Sequence, residues 1–188
     1  MQIAAQRGFD MPAYDSANAF RAAMSAIARP GTIQTIAPIA ADLPFSQAAA
    51  VLLLTLCDHE TSLFLAPDLD TPEARHWIAF HCGAPLATKA DAMFALGSWD
   101  ALAPLDDYAQ GTPEYPDRSA TLIVEMPEIT QAGPRLTGPG IQTEAYLALP
   151  DTASLMANHA KFPRGVDLFL TSGCQIAALP RSTKIEVR

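Results

Sequence analysis

Apolar and polar positions alternate along this chain in two rhythms, and the switches between them fall at prolines and glycines. Asp15 or Ser16 can cap a first helix, in which Phe20, Met24 and Ile27 recur at i, i+4 and i+7 as one face. Pro30 bars Arg29 from helical backbone, and Pro30-Gly31 fits the centre of a type II turn. Residues 32–36 then alternate like a strand. Ser46 opens a second helix through Cys57 that is apolar on nearly every side and so predicted to be buried. A short strand follows at residues 62–66. Thr71-Pro72-Glu73 supplies a cap, a first-position proline and a first-turn acid for a helix running to Cys82 and ending at Gly83.

The second half reads differently. Strands are predicted at residues 92–96 and 120–126, separated by a helix near 100–108 and a proline-rich loop. A helix over 152–160 precedes strands at 166–171 and 175–179, which bracket the hairpin signal Ser172-Gly173, and a last strand spans 183–187. Strands alternate with helices early and become antiparallel late. The expectation is one α/β domain over residues 1–188, a mixed sheet between layers of helices.

Composition narrows the function classes. Of the 188 residues 49% are hydrophobic and 17% charged, which suits a globular core and not a disordered chain. The net charge of -8 argues against a nucleic-acid surface, which needs clustered cations. The longest apolar run, residues 48–56, is about half a membrane span. The start MQIAAQRGFD has no apolar core of a signal peptide, and three scattered cysteines without CxxC suit a reducing compartment, so a cytoplasmic protein is expected. Charge is uneven: from Lys161 onward the balance is +3, and nine of the 12 cations are arginines, the type suited to bidentate phosphate or carboxylate contacts.

The candidate chemistry is sparse. There is no GxxxxGK[ST] loop, no complete dinucleotide fingerprint, no HExxH and no GxSxG. Asp58, His59, Glu60, His76 and His81 carry ligand types, but their spacing matches no metal site and no metal is expected. Gly138-Pro139-Gly140 fits either an anion-binding nest of backbone N–H groups or a plain tight turn. Asp167 interrupts an apolar strand and calls for a partner such as Arg164 or Arg181, unless it reaches water at the strand's edge. Arg181-Ser182-Thr183-Lys184 fits a phosphate surface or a charge-protected edge strand. Arg29 and Arg181 both sit beside prolines, which suits anion binding or docking. The alternative for Arg29 is to satisfy the last carbonyls of its helix. As surface residues, each is expected to tolerate alanine within about 1 kcal/mol of stability.

Five segments, FRAAMSAIARPGTI, LLLTLCDHETSLFL, PDRSATLIVEM, LTGPGI and FPRGVDLFLTSGCQIAALPRSTKI, occur in this order between Phe20 and Val187. Together they resemble the PhnH family of the bacterial carbon–phosphorus lyase system for phosphonate catabolism. The resemblance implies an α/β fold similar to the large domain of type I PLP-dependent transferases, but without PLP. It implies a homodimer in isolation that assembles with PhnG, PhnI, PhnJ and PhnK. With PhnG, PhnI and PhnL such a subunit takes part in displacing adenine from ATP by a phosphonate, giving ribose 1-phosphonate 5-triphosphate. PhnJ, a radical iron–sulfur subunit, breaks the C–P bond afterwards. The resemblance carries no catalytic residues. Ligand or partner contacts are expected at Arg29, Gly138, Gly140, Arg164, Arg181 and Lys184. Two other readings stay open: a stand-alone PLP-type transferase, whose lysine would be Lys89, Lys161 or Lys184, and a module that binds phosphonates or nucleotides.

Overall fold

The computed structural model describes residues 8–187; residues 1–7, on which most of the signal-peptide reading falls, and residue 188 lie outside it. Helix α1 spans Pro12–Ala28 and leads to strand β1, Gln34–Thr35. Helix α2 (Gln47–Leu56), strand β2 (Leu63–Leu65) and helix α3 (Pro72–His81) follow, then β3 (Phe94–Ser98), the single-turn α4 (Trp99–Leu102) and β4 (Thr121–Glu125). The remainder is β5 (Arg135–Thr137), β6 (Ala145–Tyr146), α5 (Thr152–His159), β7 (Asp167–Ser172), β8 (Gln175–Leu179) and β9 (Lys184–Glu186).

Six strands form one mixed sheet in the order β1-β8-β7-β4-β3-β2. Strands β2, β3, β4 and β7 run parallel, while β8 returns antiparallel to β7 and β1 antiparallel to β8. Register and the two-residue period explain why the parallel strands read as unbroken apolar runs: both faces are covered. Leu96, Ile123, Phe169 and Ala178 are aligned neighbours on one face, and Ala95, Leu122, Leu168 and Leu179 on the other. The first row packs with α1, α2 and α3; the second packs with Leu102, Leu136, Leu147, Leu155 and Ile185. Among the described residues no helix is long and apolar enough to cross a membrane.

The caps follow the sequence closely. Ser46 Oγ accepts the N–H of Ala49 at the start of α2, and Thr71 Oγ1 that of Ala74 at the start of α3. Gly83, at φ +68°, closes α3 by donating to Ile78 O at 3.0 Å. The helix expected over 100–108 stops at Leu102. Ala103 precedes Pro104 and is extended (φ -60°, ψ 153°), so the chain resumes only as a 3-10 turn at Leu105–Asp107.

Two expectations are corrected. Helix α1 begins at Pro12, ahead of Asp15 and Ser16, and the stripe read as one face divides: Phe20 is 49% exposed and Met24 48%, Ile27 is half-buried against the core, and the buried positions are Ala19, Ala23 and Ala26. Alanines on the inner face let α1 lie close against α2 and β8. The second cover layer is also only partly helical. It contains α4, α5 and an antiparallel sheet of order β6-β5-β9, two of whose strands are too short to show a period in the sequence.

Candidate functional site

Three turns that the sequence keeps far apart meet in the fold. The first is residues 29–32, where Thr32 donates its N–H to Arg29 O at 3.2 Å and Gly31 has φ +87°, as a type II turn requires. It rests on the small sheet: a Cβ on Gly31 would lie 2.6 Å from Ala145 Cβ, and Gln131 Nε2 donates to Gly31 O at 2.8 Å. The second is Gly138-Pro139-Gly140, a turn closed by the N–H of Ile141 on Gly138 O at 3.1 Å. The third is the stretch from Arg181 to Lys184. Gly140 abuts Ala28 O and Pro30, and Gly138 abuts Ser182 O and the N–H of Lys184. The close approach that these glycines permit is therefore to the protein's own backbone.

The cations divide into engaged and available. Arg181 holds Asp167 through Nε at 3.1 Å and through Nη2, donates to Pro116 O at 2.7 Å, and also bonds Ser119 Oγ. Its backbone N–H reaches the same carboxylate at 2.8 Å, and His159 Nδ1 meets its carbonyl at 2.9 Å. Of the two partners proposed for Asp167, the fold selects Arg181. Arg29 is exposed, and its guanidinium donates to Ser25 Oγ at 2.6 Å instead of to a helix carbonyl. Lys184 is exposed beside Glu186 at 3.0 Å. Arg164 stands apart from these turns; it is exposed and makes no side-chain hydrogen bond or ion pair among the described residues. It follows Phe162 and Pro163, which with Pro116, Pro180, Arg181 and Ser182 line a shallow cavity of about 340 Å³.

The three lysines weighed for a Schiff base all have partners. Lys89 Nζ donates to Leu102 O at 2.9 Å and Ala103 O at 2.8 Å, and it lies 5.8 Å and 5.6 Å from the ring centres of Phe64 and Tyr108. It thus ties off the end of α4. Lys161 pairs with Asp106, and Lys184 with Glu186. Among the described residues no three of His, Cys, Asp and Glu converge as a metal site. Asp58 instead accepts the N–H of Glu60 and the hydroxyl of Thr61, a local turn.

Sequence reasoning missed Glu125, at the carboxyl end of β4 on the sheet edge where α/β proteins place their ligands. Its carboxylate accepts from Ser46 Oγ at 2.7 Å, Ser46 N–H at 3.2 Å and Thr171 Oγ1 at 2.8 Å, so it ties the start of α2 to β7. A lone Glu at the end of an apolar strand gave no signal of this. Burial raises its pKa, against the lowering effect of those bonds; the nearby Asp68 adds to the rise. A carboxyl whose folded pKa is raised stabilises fully below the ordinary value of 4.5, and that contribution is lost as pH climbs through the raised value. Urea unfolding between pH 4 and about pH 7 should therefore show a decline in the parent protein that Glu125→Gln flattens. An unchanged slope would remove this assignment.

The fold and these turns define a class: an α/β protein whose conspicuous cations sit on rigid turns, with no free lysine, metal cluster or phosphate loop among the described residues. The chain belongs to the PhnH family, described as bacterial phosphonate metabolism protein, whose model matches residues 7–186. It is 42% identical, over 187 residues, to "Alpha-D-ribose 1-methylphosphonate 5-triphosphate synthase subunit PhnH" of Rhizobium meliloti (strain 1021), covering 95% of this chain and 94% of that relative. It is 31% identical to "Putative C-P lyase subunit protein HtxG" of Stutzerimonas stutzeri, over 90% of this chain and 85% of that one.

Proposed function

We propose that this chain is a subunit of the assembly that makes ribose 1-methylphosphonate 5-triphosphate from ATP and a phosphonate, and that it does not catalyse this step alone. The likeness over 95% of the chain to a relative bearing that subunit name carries the proposal. The chemistry of the chain agrees with it. All three lysines are held by carbonyls or carboxylates, which disfavours a Schiff-base transferase. The proposal includes a PLP-transferase-like architecture without PLP, residues 1–188 working as one domain, a cytoplasmic location and a homodimer in isolation. It also includes PhnG, PhnI, PhnJ and PhnK as partners. Of the cations singled out in the sequence, Arg29, Arg164 and Lys184 are exposed and are included as partner or anion contacts.

The test is adenine release from ATP and methylphosphonate by the remaining subunits, with and without this chain. Release that needs the chain supports the proposal, and equal release without it rejects it. In the same assay Arg29→Ala should reduce release severalfold while the unfolding free energy stays within about 0.5 kcal/mol, since the bond it loses is on the surface. A second reading, an anion-binding module, draws on the unpaired Arg164 guanidinium; calorimetry of the isolated chain with ATP and with methylphosphonate would give binding heat if it holds.

A further inference from the structure

Helix α1 turns a second apolar face, the one that carries Phe20 and Met24, to solvent. Ala13, Ala17, Phe20, Met24 and Ala28 follow one another at helical spacing and form a single stripe, and every one of them is exposed. The inward face buries Ala19, Ala23 and Ala26, with Ala22 and Ile27 half-buried beside them. Burying Phe and Met removes far more apolar surface than burying Ala, so folding stability alone would favour the reverse arrangement. The stripe is also rigidly mounted. At one end Met11 donates its N–H to Asp15 Oδ2 at 2.8 Å; at the other the turn of residues 29–32 is seated against Ala145 and Gly140. Alongside runs a groove of about 730 Å³ lined by residues that include Phe9, Leu54, Thr55 and His81. Half-exposed Phe and Met flanked by alanines, which allow close approach, make a surface suited to receiving another helix.

Charge selects what covers it. Arg21 borders the stripe and Arg29 lies just past its end, whereas Asp15 is on the opposite side of the helix and bonded to Met11. A second copy of α1 packed antiparallel about a two-fold axis between Phe20 and Met24 would bring Arg21 beside its own symmetry mate, with no carboxylate between them. A partner carrying acids along an apolar helix faces no such repulsion. We infer that α1 is the docking surface for another subunit of the assembly, which presents an apolar helix flanked by carboxylates to Arg21 and Arg29. This rests on the proposed role of the chain as a subunit.

The test co-expresses the chain with the remaining subunits of the ribose 1-methylphosphonate 5-triphosphate synthase and measures how much of them it retains. Phe20→Glu with Met24→Glu should reduce retention by about tenfold or more, and Phe20→Ala with Met24→Ala severalfold. Arg21→Glu should weaken retention most at low salt. The isolated variants should keep the parent's melting temperature and mass. Retention at the parent's level in all variants overturns the inference while leaving the proposed function intact. Conversion of a parental dimer to monomer by the Glu variant overturns it in favour of a second copy. A lowered melting temperature in the Ala variant overturns it in favour of cover by the chain's own residues. A parent chain that retains no subunit overturns this inference and the proposed function together.

Discussion

Arg181→Ala is expected to lower the unfolding free energy by about 3 kcal/mol, the range for removing one partner of a buried ion pair. The Arg181 and Asp167 side chains are only 11% and 20% exposed, so water cannot readily replace the guanidinium. That group joins three pieces of chain: β7 through Asp167, the loop before β4 through Pro116 O and Ser119, and its own segment between β8 and β9. Its loss leaves a half-buried carboxylate that keeps the Arg181 backbone N–H but not the charge. The expectation for a surface arginine, a change within about 1 kcal/mol, is accordingly revised. Urea unfolding measures the effect, and a melting temperature lowered by about 6–12 °C would accompany it. Adding Asp167→Asn should recover part of the loss, because the uncompensated charge disappears. A double variant no more stable than Arg181→Ala would mean that the bonds to Pro116 and Ser119 matter more than the ion pair.

The contrast between Arg29 and Arg181 explains what the sequence could reveal here. Both lie next to proline in polar surroundings, and both read as cations on turns. What separates them is the position of Asp167, which faces residue 181 only because β7 and β8 form a hairpin that pairs Leu168 with Leu179. The hairpin itself was legible from Ser172-Gly173, and so the pairing of Asp167 with Arg181 or Arg164 could be narrowed to two. Helices α2 and α3 were legible as well, since caps and stops are local chemistry carried by Ser46, Thr71 and Gly83, and α5 falls within the helix expected over 152–160. Strands β3, β4, β7 and β8 were legible as apolar runs long enough to recognise.

Illegible elements share a cause: their conformation is fixed by distant residues. Strands β5 and β6 hold three and two residues, and they are held where Arg135 reaches both Glu144 and Glu186 while Leu136 inserts into the core. The facing of α1 was not legible because the 3.6-residue period marks two apolar stripes on this helix, one of alanines and one with Phe20 and Met24. Periodicity cannot say which packs inward. Packing distance decides that, and on the close seat against α2 and β8 the fully buried positions are alanines, with Ile27 half-buried at the side. The structural tie made by Lys89, and Glu125 altogether, went unread for a similar reason, since their partners lie 13 or more positions away in the chain.

Gly140→Ala should be among the most damaging single substitutions in the protein, by about 3 kcal/mol or more, although residue 140 is exposed. Two costs add. Its φ of +80° is strained for any residue with a Cβ. The added Cβ would also lie 2.0 Å from Ala28 O and 2.9 Å from the carbonyl carbon, both backbone atoms that cannot rotate away. The end of α1 would have to move, and with it the turn that carries Arg29 and the docking stripe ahead of it. Gly173 isolates the first cost: its φ is +55°, but nothing lies within 4 Å of a Cβ built there. Gly173→Ala should therefore lose only about 1 kcal/mol. Urea unfolding of the two variants side by side separates steric contact from backbone strain. If both lose the same amount, the close seating of residue 140 on α1 is not what holds these three turns together.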